Sequence, residues 1–297
     1  MLESMTRRGL MRTGLAAVAG AVAAGAVKGP LPAWAAEAVA DPAKPRMHLG
    51  TVTYMIGEKM DLPTLIDVCE KSGLEGVELR TTHAHGVEPS LDAEGRAKVK
   101  ERFSKTRVRL VVLGTVAEFH SPDPATVKKN IAQANEFTKL AVDVGAWGIK
   151  VRPNGLPKDV PTETTLRQIG EALREVGEFA KDKGITVCVE CHGGGTSDPP
   201  NMAKIMEFCK HPSVGLCWNS NAIDVKDGSI KENFELCKAW IKHCHIQPLD
   251  GKYPNAELMP LLKSINFTGY TMLETSTKED PVVFLRRQRE LWEKLAL

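Results

Sequence analysis

The sequence predicts an α/β chain closed into a single (β/α)8 barrel, and three observations predict it. Short apolar, β-branched runs alternate with helical runs eight times from about residue 47 onward, and strict alternation of this kind makes a parallel sheet with helical crossovers. Eight such units in about 250 residues is the size expected of a closed barrel. The segment Thr51-Val-Thr-Tyr-Met-Ile-Gly57, at the end of the first run, lacks the glycine-rich phosphate turn that an open doubly wound sheet normally carries there.

In chain order, 47–54 alternates as a strand, and 62–71 reads as a helix with Asp61 as its cap and Gly73 just past its end. Residues 76–80 form a short strand, 91–103 a charged helix and 109–118 a strand with a strongly apolar start. Asp123-Pro124 supplies an N-cap and a proline at the first helical position, and that helix runs to 144 and stops at Gly145. A strand over 147–151 and an amphipathic helix over 162–183 follow. The fifth strand opens the stretch Ile185-Thr-Val-Cys-Val-Glu-Cys-His-Gly-Gly-Gly195, with a helix over 202–210 after it. Strands over 214–219, 241–247 and 270–275 alternate with helices over 230–240 and 256–265, and Asp280-Pro281 caps a last helix to 294.

The composition, 42% hydrophobic and 26% charged, is that of an ordinary globular chain. The net charge of +2 is unevenly spread: the first 35 residues contribute +3, so the remainder carries −1. A near-neutral body gives no electrostatic case for nucleic acid or for an anionic membrane. The N-terminus has a charged region, Thr6-Arg7-Arg8-Gly9-Leu10-Met11, a small apolar run over 15–27, and Ala33-Trp34-Ala35. That order predicts a cleaved export signal over 1–35, resembling the twin-arginine type, then a linker over 36–46 and the barrel over 47–297. The apolar run is short and rich in Ala and Gly, so the expectation is a periplasmic or otherwise exported protein with no stable membrane span after cleavage. The seven cysteines are odd in number and lack the spacing of a disulfide framework, so they read as small buried apolar residues.

Successive side chains on a strand point to opposite faces. Applied to the predicted strands, this places polar residues on the face opposite the apolar one: Glu78 on the second, Lys150 and Arg152 on the fourth, Glu190 and His192 on the fifth. The same holds for Asn219 and Asn221 at the sixth, His243, His245 and Gln247 at the seventh, and Glu274 on the eighth. Burying any one of these without a partner costs about 1–3 kcal/mol, so their recurrence points to a shared site at the C-terminal mouth, where barrels carry their chemistry. Glu190, Asn219, His245 and Glu274 come from four neighbouring strands. Two carboxylates, an imidazole and an amide oxygen form an oxygen/nitrogen set suited to one divalent ion such as Mn²⁺ or Mg²⁺. A metal-free Glu–His–Glu hydrogen-bond network fits the spacing equally well.

The stretch from about 47 to 295 resembles the sugar phosphate isomerase/epimerase-like proteins, the xylose isomerase-type TIM barrels. The segments that carry the resemblance are Gly76-Val-Glu-Leu-Arg80, Val187-Cys-Val-Glu-Cys-His192, Val214-Gly-Leu-Cys-Trp-Asn219, Ile241-Lys-His-Cys-His-Ile246 and Gly269-Tyr-Thr-Met-Leu-Glu274. The resemblance implies one divalent metal held by Glu190, Asn219, His245 and Glu274, with Asn219 standing where an acid is usual. It also implies that Glu190 and Glu274 move protons beside a carbonyl. Glu78, His85, His120, Lys150, Arg152, His192, Asn221 and Gln247 are then the candidates for substrate contact.

The function expected is that of a metal-dependent isomerase or epimerase acting on a small carbohydrate, unphosphorylated because sugar phosphates are mainly cytosolic. Two alternatives share the fold: a lyase or hydrolase that eliminates the substituent of an oxidised (3-keto) glycoside, and a non-catalytic sugar-binding protein. No nucleic-acid partner is expected, and a homo-oligomer is compatible with the sequence.

Overall fold

The structure, a computed structural model, describes residues 47–296. The expected export signal over 1–35 and linker over 36–46 lie outside the described residues. Eight strands run in chain order: β1 (His48–Met55), β2 (Gly76–Arg80), β3 (Arg109–Glu118), β4 (Gly148–Arg152), β5 (Thr186–Glu190), β6 (Val214–Asn219), β7 (Ile241–Ile246) and β8 (Tyr270–Thr275). Each pairs in parallel with the next, and β8 returns to β1, closing the barrel. The intervening helices are α1 (Leu62–Ser72), α2 (Ala93–Ser104), α3 (Pro124–Val144), α4 (Thr162–Lys181), α5 (Pro199–Cys209), α6 (Lys231–Cys237), α7 (Asn255–Ser264) and α8 (Pro281–Ala296).

Local chemistry sets the helix ends. Asp61 accepts from the Thr64 amide at the start of α1, and Gly73 ends that helix at φ 75°. Asp123 accepts from the Ala125 and Thr126 amides, Pro124 opens α3, and Gly145 closes it at φ 79°. Three departures from the sequence expectation have a visible local cause. Helix α2 begins at Ala93 because Asp92, not the residue before 91, caps it by accepting from Gly95. Helix α5 starts three residues early, at Pro199, since a proline pair needs no amide partner in a first turn. The helix expected over 230–240 stops at Cys237 and tightens into a 3₁₀ turn over Lys238–Trp240.

The barrel has two apolar regions. The larger lies between the outer strand faces and the helices and includes Val187, Val189, Leu216, Trp218 and Leu273. The smaller fills the lower barrel interior with Val52, Val111, Val112 and Met272, against Trp147 and Tyr270. Polar groups share the interior with it, Glu78 standing level with Val52 and Val112, and five ionisable residues, Glu78, Lys150, Glu190, His243 and His245, are buried there. Burial of that many charges requires mutual pairing. All seven cysteines are buried and free, as the sequence suggests.

Candidate active site

Strands β5, β7 and β8 deliver Glu190, His245 and Glu274 to one point. His245 Nδ1 lies 3.6 Å from Glu190 Oε1 and 3.6 Å from Glu274 Oε2. A ligand atom from each of the three residues falls within 4.8 Å of the others. Those separations are too long for hydrogen bonds, and His245 Nδ1 is a buried nitrogen with no hydrogen-bond partner.

The reason Nδ1 is the free nitrogen lies behind the imidazole. His245 Nε2 and His243 Nε2 each sit 2.9 Å from Glu78 Oε2. A carboxylate only accepts, so both nitrogens carry the hydrogen and donate. Glu78 thereby fixes the orientation of the His245 ring and turns Nδ1 toward Glu190 and Glu274. Burial works against the Glu78 carboxylate, but His245, His243 and Lys150 outweigh it and hold the group well below the usual carboxylate range. Gly114 on β3 makes this packing feasible, since a Cβ there would come within 2.9 Å of Glu78 Oε1 and 3.5 Å of Lys150 Cε.

Lys150 on β4 closes the arrangement. Its Nζ donates to Glu190 Oε2 at 2.5 Å and lies 3.8 Å from Glu78 Oε1. Burial opposes the ammonium, yet Glu190, Glu78 and Glu274 keep it above its ordinary range. Burial likewise opposes the Glu190 carboxylate, and Lys150 and His245 hold it far below. The two oxygens of Glu190 therefore face different partners, Oε2 toward Lys150 and Oε1 toward His245.

A divalent ion fits these residues. Three carboxylates and one ammonium leave a formal charge of −2 when both imidazoles are neutral. The orphaned Nδ1 and two carboxylate oxygens would form its protein ligands, a set for hard or borderline cations. Burial opposes protonation of His245, but Cys217, Glu78 and Glu274 raise it well above the usual imidazole range. A cation would thus displace a proton from Nδ1.

The other residues singled out in the sequence are placed as follows. Asn219 is adjacent, but its Nδ2 donates to Glu190 Oε1 at 3.1 Å, so its amide nitrogen rather than its oxygen faces the ligand cluster. Glu78 was expected at the substrate; it is fully buried and meets the site through His245 instead. His85 was also expected there, but Nε2 reaches the Arg80 carbonyl at 2.8 Å and Nδ1 accepts from the Val87 amide at 3.0 Å. Both its ring nitrogens are used by the backbone that shapes the β2–α2 loop.

Arg152 donates to Glu118 Oε1 at 2.5 Å. Asn221 donates to the Cys191 carbonyl at 2.7 Å, and Gln247 to the Ser220 carbonyl at 2.6 Å, so these two stitch the β5, β6 and β7 ends together. His192 Nδ1 donates to Asn154 Oδ1 at 2.7 Å. His120 lies in the β3–α3 loop with Nδ1 buried and unpartnered.

Sequence reasoning missed Asn154, which orients His192, and Thr53, whose hydroxyl meets the Arg80 amide and His83 Nδ1, both at 2.9 Å. The Asn154-Gly155 pair was a legible turn signal, and both residues do take positive φ, 66° and 137°. Thr53 carried no comparable signal.

A closed (β/α)8 barrel with a Glu–His–Glu cluster at the C-terminal strand ends, two of its members buried and Glu274 partly exposed, defines the class. The chain belongs to the xylose isomerase-like TIM barrel family, whose model matches residues 66–295. No curated protein matches it. Among solved structures, it is similar to the apo form of the 3-keto-D-glucoside 4-epimerase YcjR from E. coli (14% identity, TM-score 0.70, covering 84% of this chain and 99% of that one). D-psicose 3-epimerase crystallised with D-fructose gives 15% identity and a TM-score of 0.72, over 84% of this chain and 99% of that one. The IolI protein with a bound zinc atom gives 16% and 0.69, over 84% and 96%. At these identities the likeness is one of fold.

Proposed function

We propose that this protein is a divalent-metal-dependent isomerase or epimerase that moves a proton beside the carbonyl of an unphosphorylated sugar or related hydroxy-carbonyl compound. The observation that carries the reading is the unpartnered His245 Nδ1, facing Glu190 Oε1 and Glu274 Oε2 at 3.6 Å each. The family, and neighbours named as sugar epimerases and a zinc-binding protein, support it. Glu190, His245 and Glu274 would hold the ion, with Asn219 beside them. Bound there, a divalent cation supplies positive charge that polarises a carbonyl and acidifies the adjoining C–H.

The protein's own groups divide the proton work. The Glu274 side chain is 20% exposed against 2% for Glu190, so Glu274 is the carboxylate a substrate reaches more readily. Glu190, held far below its ordinary range by Lys150 and His245, is a weak base. Glu274 therefore takes the proton, and Glu190 returns one drawn from its Lys150 partner, with solvent removing the proton from Glu274 and restoring the one lost by Lys150 before the next turnover. Return to the opposite face gives the epimer. Lys150 and Arg152 are each already paired with a carboxylate, which leaves neither free for a phosphate. The arginine pair of the N-terminal segment supports export of the protein, which is consistent with an unphosphorylated substrate.

The test is incubation with a panel of ketoses and 3-keto-glycosides in deuterated water. Deuterium incorporation with an isomeric product is expected, and Glu274→Gln should abolish it. Release of an aglycone would instead assign the site to elimination. No exchange with any member, by protein shown to contain metal, overturns the proton-transfer reading.

A further inference from the structure

The barrel mouth continues past Glu274 to β1 and β2. Met55 on β1 pairs with Thr275 on β8, so the residues before them, Tyr54 and Glu274, stand at one level on neighbouring strands. Val52 pairs with Glu78, and both face the interior. Two residues further on, Tyr54 and Arg80 face the same way at the strand ends. The Arg80 guanidinium lies over the Tyr54 ring, 5.5 Å from its centroid, and so leans toward the strand that separates it from Glu274. Tyr54 is exposed and Arg80 half-buried, whereas Thr53 and Thr81 on the opposite face are buried. Tyr54 and Arg80 therefore border the same opening as Glu274.

Arg80 differs from the cations on β4. Lys150 and Arg152 each hold a carboxylate, but Arg80 has no ion-pair partner among the described residues. Its Nη1 donates to the Thr81 carbonyl at 3.1 Å and to Thr82 Oγ1 at 3.3 Å. Nε and Nη2 form no hydrogen bond with the described residues, and neither is buried. These two nitrogens make up the parallel N–H edge of the guanidinium, the fork that takes both oxygens of a carboxylate. The loop is built to hold the other nitrogen. Thr82 sits at φ 67°, which is costly for a β-branched residue. The Glu88 carboxylate keeps it there, accepting from the Thr82 amide at 2.6 Å and from Thr81 Oγ1 at 2.7 Å. The Arg80 amide donates to Thr53 Oγ1 at 2.9 Å, and its carbonyl accepts from His85 Nε2 at 2.8 Å. Backbone and Nη1 are thus fixed, and the Nε–Nη2 edge is left open.

We propose that Arg80 is a specificity-determining residue of this site, and that its open edge receives the carboxylate of an acidic substrate, a polyhydroxy keto acid. This rests on the proton-transfer reading of the neighbouring cluster and names its substrate class. With the carboxylate on Arg80, the substrate chain passes Tyr54 and brings its carbonyl end to Glu274 and His245. One guanidinium with one open edge matches one unit of negative charge. A phosphate dianion would call for a second cation, and Lys150 and Arg152 are committed to Glu190 and Glu118.

The test uses three compounds that differ only at the sixth carbon: D-fructose, D-fructuronate and D-fructose 6-phosphate. Each is offered to the metal-loaded protein, and solvent deuterium incorporation is followed. D-fructuronate is expected to exceed D-fructose in kcat/KM by about tenfold or more, mostly through KM, with D-fructose 6-phosphate no better than D-fructose. Arg80→Gln should bring the fructuronate-to-fructose ratio to about one. Arg80→Lys, which keeps the charge but loses the fork, should leave it in between. Each ratio is taken within one variant, so partial misfolding cancels. A wild-type ratio near one, a ratio undiminished in either variant, or a preference for the phosphate overturns the assignment. If no substrate exchanges, proton transfer fails separately, and calorimetry with D-gluconate and D-glucitol decides on Arg80 alone. Tighter binding of D-gluconate, lost in Arg80→Gln, supports the assignment. Equal binding, or a preference that survives Arg80→Gln, refutes it.

Discussion

Replacing Glu78 by glutamine tests the support behind the ligand cluster. In the wild type a single oxygen, Oε2, receives both His243 Nε2–H and His245 Nε2–H at 2.9 Å. Glutamine keeps the shape but offers a neutral oxygen to those two donors, and it reduces the formal charge of the interior from −2 to −1. If its amide nitrogen faces the histidines instead, His245 loses the partner that fixes its orientation, and Nδ1 is no longer held toward Glu190 and Glu274. Removing a carboxylate that orients a metal-ligating histidine typically costs about 10–100-fold in metal affinity, equivalent to roughly 1.4–2.7 kcal/mol. Competition of Mn²⁺ between the protein and a chromophoric chelator measures this directly, with urea unfolding of the metal-free variant as the control for folding. A Glu78→Gln protein that folds normally and binds within twofold of the wild-type affinity would refute the reasoning.

Other expectations follow from the same geometry. Lys150→Met leaves Glu190 Oε2 buried without its ammonium, so metal-free protein should lose about 3–5 kcal/mol of stability in urea unfolding, with partial recovery on adding Mn²⁺; a loss below about 1 kcal/mol would contradict it. Asp224 is pushed up to about 7 by burial, while accepting from the Asn221 amide at 2.8 Å and Tyr253 Oη at 2.9 Å. The folded chain thus holds a proton that the unfolded chain has released between about pH 4 and pH 7, and stability falls as pH rises through that window. Between pH 5 and 8 the wild type should lose about 2–3 kcal/mol more than Asp224→Asn, and parallel pH dependences would remove this account. Conversion of Arg7 and Arg8 to lysine should hold the protein in the cytoplasm on fractionation, while unchanged export would discard the twin-arginine reading.

The fold was legible because each level of the sequence agreed with the next. Strands β2, β3, β6 and β8 begin and end where the apolar alternation does, and Asp61, Gly73, Asp123 and Gly145 act as the caps their residue types suggest. Strand parity also brought Glu190, His245 and Glu274 to one face of neighbouring strands. Parity gives the face but not the height along the barrel axis. Glu78 is mid-strand, beside Val52 and Val112, whereas Glu190 ends its strand, so the first lies beneath the imidazole and the second beside it. Loop residues were harder for a different reason. His85 and Asn221 satisfy nearby backbone groups, and nothing in their spacing distinguishes that from reaching a ligand. Asn219 illustrates the limit of residue type alone, since an amide offers a donor as well as an acceptor, and here the donor faces Glu190.

The most direct measurement is the anomalous difference density of a crystal soaked in Mn²⁺. The account predicts one peak per chain, within coordination distance of Glu190 Oε1, His245 Nδ1 and a Glu274 oxygen, with Lys150 still on Glu190 Oε2. A peak instead among Cys217, His243 and His245, the other cluster of suitable atoms, or no peak at all, would contradict it.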